Sequence, residues 1–301
     1  MKILLFFITI IAPLLLTSCT PHTPERVAVT LPAISSITHE LTAQTHIAVV
    51  DFIPKDISIA ELDQYMDEHP AVLDSAATCD AVFDLRSVIP EDIAYLELRH
   101  RNIRIIESDC AAPLDAKITP IPLIDAPEGS PHYVWLSVSN VMKMAEIASK
   151  DLSLLYPHDS TKIRTNLASL KKRYFALKSD YETKFAEVPD FSACEFGGDF
   201  DYFLKDINLF VTERYPADET SWPNTTTADF TANIASGSIK TVVHRWKPTG
   251  DIGATLDAAH VPTAVLVVGD PALHAYDNGL FGLIESNSKA LLSALTQSTK
   301  L

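Results

Sequence analysis

The stretch from Ser130 to Val188 constrains this 301-residue chain more than any other. It opens on an aromatic run, Pro131-His132-Tyr133-Val134-Trp135-Leu136, and then carries two helical patterns in succession. Val141, Met144, Ala145, Ala148, Leu152 and Leu155 recur every three or four residues, the spacing of one apolar helix face. Pro157 stops that helix, and Asp159 or Ser160 is placed to cap a second. Ile163, Leu167, Leu170, Tyr174, Leu177, Tyr181 and Phe185 continue the pattern, with neither Gly nor Pro before Pro189. At 1.5 Å per residue this second helix runs about 40 Å. A core helix or a coiled-coil strand is the plain reading. Other elements on both sides of it in sequence favour a rigid strut between two lobes.

The rest of the composition narrows function mainly by exclusion. A formal charge of −15 argues against nucleic acid as a partner, because phosphate binding needs a basic face. The first glycine is Gly129, and no Gly-rich phosphate loop, Rossmann fingerprint or G-x-S-x-G elbow occurs anywhere. No motif supports an enzyme, and no catalytic cofactor is expected. Hydrophobic residues at 47% are ample for a core.

Residues 1–18 read as an export signal: Lys2, then an apolar run from Ile3 to Leu16 too short to span a bilayer comfortably. Leu16-Thr17-Ser18-Cys19 resembles the bacterial lipobox, whose cysteine becomes the lipidated amino terminus. That implies a mature chain held at the cell envelope, in the periplasm or on the surface, by a lipid anchor on Cys19. Residues 19–36, rich in Pro, Thr and Ser, read as a flexible tether. Cys79, Cys110 and Cys194 are left, either as buried thiols or with one pair bridged; no C-x-x-C supports a thiolate zinc site.

From His46 the pattern alternates. Strands are expected at His46–Phe52, Asp80–Phe83 and Ile103–Glu107, with helices at Ile57–Glu68 and Pro90–Arg101 between them. After the strut, Asn208–Thr212, Ile239–His244 and Thr263–Val268 read as strands, and Asp229–Ala235, Asp251–Ala259 and Asn278–Thr296 as helices. The fold class is therefore α/β: two lobes, each a mainly parallel sheet with flanking helices, joined by a long rigid helix. The expected divisions are a first lobe over 37–136, connecting helices over 137–188 and a second lobe over 189–301.

Open parallel sheets bind ligands beyond the carboxyl ends of their strands. That rule nominates Asp84, Arg86 and Ser87 after one strand, His132 and Tyr133 before the strut, and Glu195, Asp199 and Asp201 at the start of the second lobe. It also nominates His244, Arg245 and Trp246 after another strand, and Asp270 in Val268-Gly269-Asp270-Pro271. Each has a bland alternative. Asp before Pro is ordinary turn chemistry, His132 could be a capping residue, the acidic residues could form an exposed turn, His244 could be half-buried, and Arg86 could pair with Asp84 or Glu91. Their convergence on one sheet edge suits a site of imidazole and carboxylate for Zn²⁺ or Mn²⁺. No H-x-H or i, i+4 pair exists, so such a site has to be assembled from distant segments.

The run Pro131–Asn140, then Met144-Ala145-Glu146-Ile147-Ala148, Leu155-Tyr156-Pro157 and Asn166, resembles the metal-binding solute-binding lipoproteins of ABC transporters. Cys79-Asp80-Ala81-Val82, Asp201-Tyr202 and Asp270-Pro271 extend the similarity over most of the chain after about residue 75. The resemblance implies capture of a divalent metal, zinc or manganese, as cargo between two lobes, and its delivery to a membrane permease by a monomer. It implies His132, Asp199 and Asp270 as ligands, with Glu195 and His244 next. Departures are plain. Aligned on Trp135-Leu136, Tyr133 stands at the family's ligand position and His132 one residue early. His69 fits the first-lobe histidine poorly, and Gly197 falls where the second lobe's histidine would be. Such a site leans towards harder metals, or towards a metal chelate or other solute in a pocket lined by Arg86, Tyr133, Trp135 and Trp246; a protein-interaction or adhesion role is the further alternative.

Overall fold

The computed structural model describes residues 25–115, 117–124 and 133–298. The first lobe comprises β1 (Arg26–Val29), α1 (Pro32–Thr42), β2 (Ala48–Asp51), α2 (Leu62–Glu68), α3 (Pro70–Ala76), β3 (Ala81–Asp84), α4 (Ala94–Arg101) and β4 (Ile106–Asp109). Its four strands are parallel, in the order β2-β1-β3-β4. β1 is the correction to the sequence reading. The expected tether to residue 36 ends by Arg26, and the segment supplies a central strand and the start of a helix. Val27, Ala28 and Val29 are buried there between β2 and β3. Pro32, read as a linker residue, opens α1 near its first position, where the missing N–H has no intrahelical partner to lose.

The connecting helices are α5 (Val138–Leu155) and α6 (Ser160–Ala186). Ser137 caps α5, its hydroxyl accepting from Asn140 N–H at 3.1 Å. Of the apolar stripe expected on α6, all but Leu167 is buried. α6 is pinned at both ends. Asn166 Nδ2 donates to the Leu41 and Ala43 carbonyls of α1 at 2.9 Å each. Lys178 Nζ reaches Ser139 Oγ at 3.0 Å and Asp206 Oδ1 at 2.9 Å.

The second lobe comprises β5 (Ser192–Phe196), α7 (Asp201–Asp206), β6 (Phe210–Tyr215), α8 (Asn224–Ala235), β7 (Val242–His244), α9 (Gly250–Ala258), β8 (Thr263–Val265) and α10 (Gly279–Ser298). Its sheet is also all parallel, in the order β6-β5-β7-β8. α10 leans on β8, then crosses to α1 and α6 of the other half. Leu280 N–H donates to Ser36 Oγ at 3.2 Å, and Phe281 meets Tyr174 edge-on at 5.3 Å.

The buried apolar side chains form two clusters. One runs from Val27 and Phe83 through Trp135, Met144 and Tyr174 to Val243, Leu266 and Leu283, so it belongs to both lobes. The other is confined to the second lobe and is built on Phe196, Tyr215, Trp222 and Phe230. Cys79, Cys110 and Cys194 are buried free thiols. Among the described residues no helix is long and apolar enough to cross a membrane.

Candidate functional site

The carboxyl ends of the two sheets meet along a cleft. On the first-lobe side, Ile59 and Tyr133 reach towards the second lobe. On the other side stand Asp199, after β5, Arg245, after β7, and Asp270, beyond β8. Ile59 N–H donates to Asp270 Oδ1 at 3.0 Å, which ties the two lobes at the cleft itself. Arg245 Nη1 lies 3.4 Å from Asp199 Oδ2, and its charge also acts on the Tyr133 phenol. Tyr133, Asp199, Arg245 and Asp270 thus form one electrostatic group of two carboxylates, one cation and one phenol.

Backbone geometry places these residues. Gly269 adopts φ +83°, and a Cβ there would come within 2.9 Å of Leu283 Cδ1, so glycine is needed to turn the chain into Asp270. Asp270 precedes Pro271 across a cis peptide bond. Trp135 anchors the other wall: it is buried, packs edge-on against Tyr133, and donates its indole N–H to Val268 O at 2.7 Å. Gly197, at the place of the expected second-lobe histidine, has φ +90°, a left-handed conformation that strains any other residue.

The electrostatics follow from burial. Desolvation pushes the Tyr133 phenol up to about 12, helped by the Asp199 and Asp270 charges and opposed by Arg245, so the phenol stays protonated at neutral pH. Burial likewise raises both carboxyls. Arg245 offsets this at Asp199, and the Ile59 N–H and Arg245 offset it at Asp270. An acidic set lies behind the first-lobe wall. Asp84 and Asp92 are fully buried, each with one carboxylate oxygen lacking a hydrogen-bond partner. Asp84 is raised by burial and then by Asp92 and Asp109, whereas Asp92 keeps a 2.5 Å hydrogen bond from Thr30 Oγ1.

Of the residues nominated from sequence, Asp199, Asp270 and Tyr133 come together, with Trp135 as their support. His132 and Cys19 lie outside the described residues. Glu195 and His244 are corrected out of the open cleft. Glu195 is fully buried on β5 and is held by Arg214 at 2.9 Å and the Phe200 N–H at 3.1 Å. His244 is fully buried between Phe196 and Trp246, with Glu219 3.7 Å from its Nε2, and burial lowers its pKa. The Arg86 guanidinium is engaged with Glu107 at 2.5 Å, while only its backbone N–H reaches Asp84, and Trp246 donates to Glu219 at 3.1 Å. The sequence reading nominated Arg245 by position but left it out of the site. A basic residue at a strand's carboxyl end, beside nominated acids, was the available signal.

Two parallel four-stranded sheets joined by a 27-residue helix, with Asp270 of one lobe accepting from Ile59 of the other, form the two-lobed architecture of solute-binding proteins. The family model for the periplasmic zinc-uptake complex component A matches residues 30–294, and the chain belongs to that family. Its members serve ABC transporters and are non-enzymatic, in agreement with the absence of enzyme motifs. No curated protein sequence matches. Among solved structures, FpvC of Pseudomonas aeruginosa in complex with Mn²⁺ is similar at 18% identity and TM-score 0.67, over 92% of this chain and 99% of that one. The metal-dependent lipoprotein YcdH of Bacillus subtilis is similar at 14% identity and TM-score 0.68, over 90% and 99%. The laminin-binding protein Lbp of Streptococcus pyogenes is similar at 17% identity and TM-score 0.63, over 89% and 98%. These likenesses establish the fold.

Proposed function

We propose that this chain is the lipid-anchored solute-binding component of an ABC transporter that captures a divalent transition metal, Zn²⁺ or Mn²⁺, in the interlobe cleft and hands it to the membrane permease. The observation that carries the reading is Asp199 paired with Arg245 at 3.4 Å, with Asp270 under the influence of the same guanidinium, in a zinc-uptake fold. Two partly desolvated carboxylates sharing one cation's field are the residues that would hold a metal. His132, two positions upstream of Val134, is the imidazole expected to complete it, and Tyr133 contributes a neutral oxygen. A donor set dominated by oxygen favours Mn²⁺ more than a three-histidine set would. Arg245 is then the built-in competitor, and the metal must displace it from Asp199.

Arg245 also supports a second reading. Together with the Tyr133 hydroxyl it offers donors for an anionic cargo, such as a metal chelate carrying carboxylate or phenolate groups. One substitution separates the two. With metal cargo, Arg245→Ala frees both carboxylates and tightens Mn²⁺ or Zn²⁺ binding, whereas Asp199→Asn with Asp270→Asn abolishes it. With anionic chelate cargo, Arg245→Ala abolishes binding of the chelate, and neither form takes up bare metal. Elemental analysis and calorimetric titration of the three proteins read the result. Loss of metal binding in Arg245→Ala would refute the metal reading.

A further inference from the structure

We propose that Glu25, His46, His158 and Asp159 form a second divalent-metal site, at the amino end of the first sheet and separate from the cleft, with an N₂O₂ donor set suited to Zn²⁺ and its late first-row neighbours. The fold brings these residues together from three places. Glu25 immediately precedes β1, His46 lies just before the neighbouring strand β2, and His158 and Asp159 occupy the turn from α5 into α6. Parallel strands place these starts on the edge opposite the cleft, about 13 Å away along four residues of strand.

The spacing is that of a coordination shell. With metal–donor distances of about 2.0–2.2 Å, neighbouring donors on a tetrahedron lie about 3.3–3.6 Å apart. His46 Nδ1 is 3.2 Å from Asp159 Oδ1, His158 Nε2 is 3.2 Å from Glu25 Oε2, and His158 Nε2 is 3.8 Å from Asp159 Oδ2. The donor atoms of His46, His158 and Asp159 all fall within 4.8 Å of one another, and no other such group of three occurs among the described residues.

Orientation and charge point the same way. The His46 backbone N–H donates to Asp159 Oδ2 at 2.8 Å and holds the carboxylate against the imidazole, whose Nδ1 lies 3.2 Å from Oδ1 and 3.3 Å from Oδ2. The carboxylates are the recessed members, at 9% exposure for Asp159 and 14% for Glu25, and the imidazoles at 78% and 50% form an accessible rim. The ring centroids of His46 and His158 are 5.8 Å apart. Two imidazolium ions at that distance repel, whereas two neutral rings sharing one metal ion do not. A Zn²⁺ held here would tie the residue that enters β1 to the start of the strut.

Zn²⁺ titration of the untagged chain tests the proposal. His46→Ala with His158→Ala is expected to remove one binding event, or to weaken it by more than about 100-fold, beyond what loss of an outer-shell partner causes. Asp199→Asn with Asp270→Asn is expected to leave that event intact, so failure here and failure of the cleft reading are distinguishable. Unchanged stoichiometry and affinity in the double histidine variant would overturn the site. A check without substitution uses carbethoxylation of the wild-type chain, mapped by mass spectrometry. Zn²⁺ should protect His46 and His158 while His69 and His100 stay reactive, and equal modification of His46 and His158 with and without Zn²⁺ would overturn the site equally.

Discussion

Asp84 offers a buried proton whose release can be read in the stability of the whole chain. It ends β3 fully buried, with Oδ2 lacking a hydrogen-bond partner. Burial first, and then the charges of Asp92 and Asp109, push its pKa well above the ordinary range, against the pull of the Arg86 N–H. The folded chain thus keeps a proton that the unfolded chain releases above about pH 4. The resulting stability is complete below that pH and is lost as pH rises towards the raised folded value, by about 1.4 kcal/mol per pH unit. Between about pH 5.5 and about pH 7.5 the loss is about 2.7 kcal/mol, or about 4–5 °C in Tm for a chain of this size at about 2.1 cal/mol/K per residue. Asp84→Asn keeps the shape and removes the titration. Glu195, Asp199 and Asp270, also raised, titrate in both proteins and cancel in the difference, and Asp92 stays raised in the variant chiefly by its own burial. Calorimetric Tm at several pH values should show the variant gaining on the wild type by that amount as pH rises. Parallel Tm curves, within about 2 °C over that range, would refute the argument.

Other expectations follow from single contacts. Trp135→Phe deletes the 2.7 Å bond to Val268 O, leaves that carbonyl buried, and should lower the urea midpoint by the equivalent of about 1–3 kcal/mol with m unchanged. Ser137→Ala removes the cap of α5 and should cost about 1 kcal/mol by denaturant titration. Gly269→Ala forces a side chain into a left-handed turn against Leu283, so it should cost about 1–2 kcal/mol in thermal stability. Because the same turn aims Asp270, it should also weaken cargo binding, measured by titration.

The sequence made the helices easier to read than the sheets. α5 and α6 show their buried faces as spacings of three and four, and almost every residue of those stripes is buried. β1 and β5 hide. Both are central strands buried on two faces, so no alternation marks them, and each is only four or five residues long. Arg-Val-Ala-Val lies in a Pro- and Thr-rich stretch, and Ser-Ala-Cys-Glu-Phe contains an acidic residue that Arg214 and the Phe200 N–H make tolerable. The site was legible as a sheet edge but not as a set of partners. Asp199, Asp270 and Tyr133 followed from the carboxyl-end rule. The engagement of Glu195 with Arg214 is a cross-strand pair between β5 and β6, and that of His244 with Glu219 depends on the turn after β6; local sequence carries no trace of either. The grouping of His46 with His158 and Asp159 was equally invisible, because more than a hundred residues of chain separate them.

The unequal division of the core bears on how cargo could leave. The larger cluster passes through α6 and α10 into both halves, so rotating one half against the other would disrupt the same packing that stabilises the fold. The smaller aromatic cluster around Phe196, Trp222 and Phe230 lies under β5, β6 and β7, and it can loosen with the rest intact. Asp199 is followed directly by Phe200, which is buried in the larger cluster, Arg245 leaves β7 beside Val243 of that cluster, and Asp270 sits in a turn backed by Leu283 of it. The two carboxylates of the cleft are therefore both mounted on the larger cluster. Amide hydrogen exchange should show β6, α8 and α9 opening well before α5, α6 and α10. Loosening of the smaller cluster alone would leave both carboxylates where they are, so letting cargo go would require the packing shared by the two halves to shift.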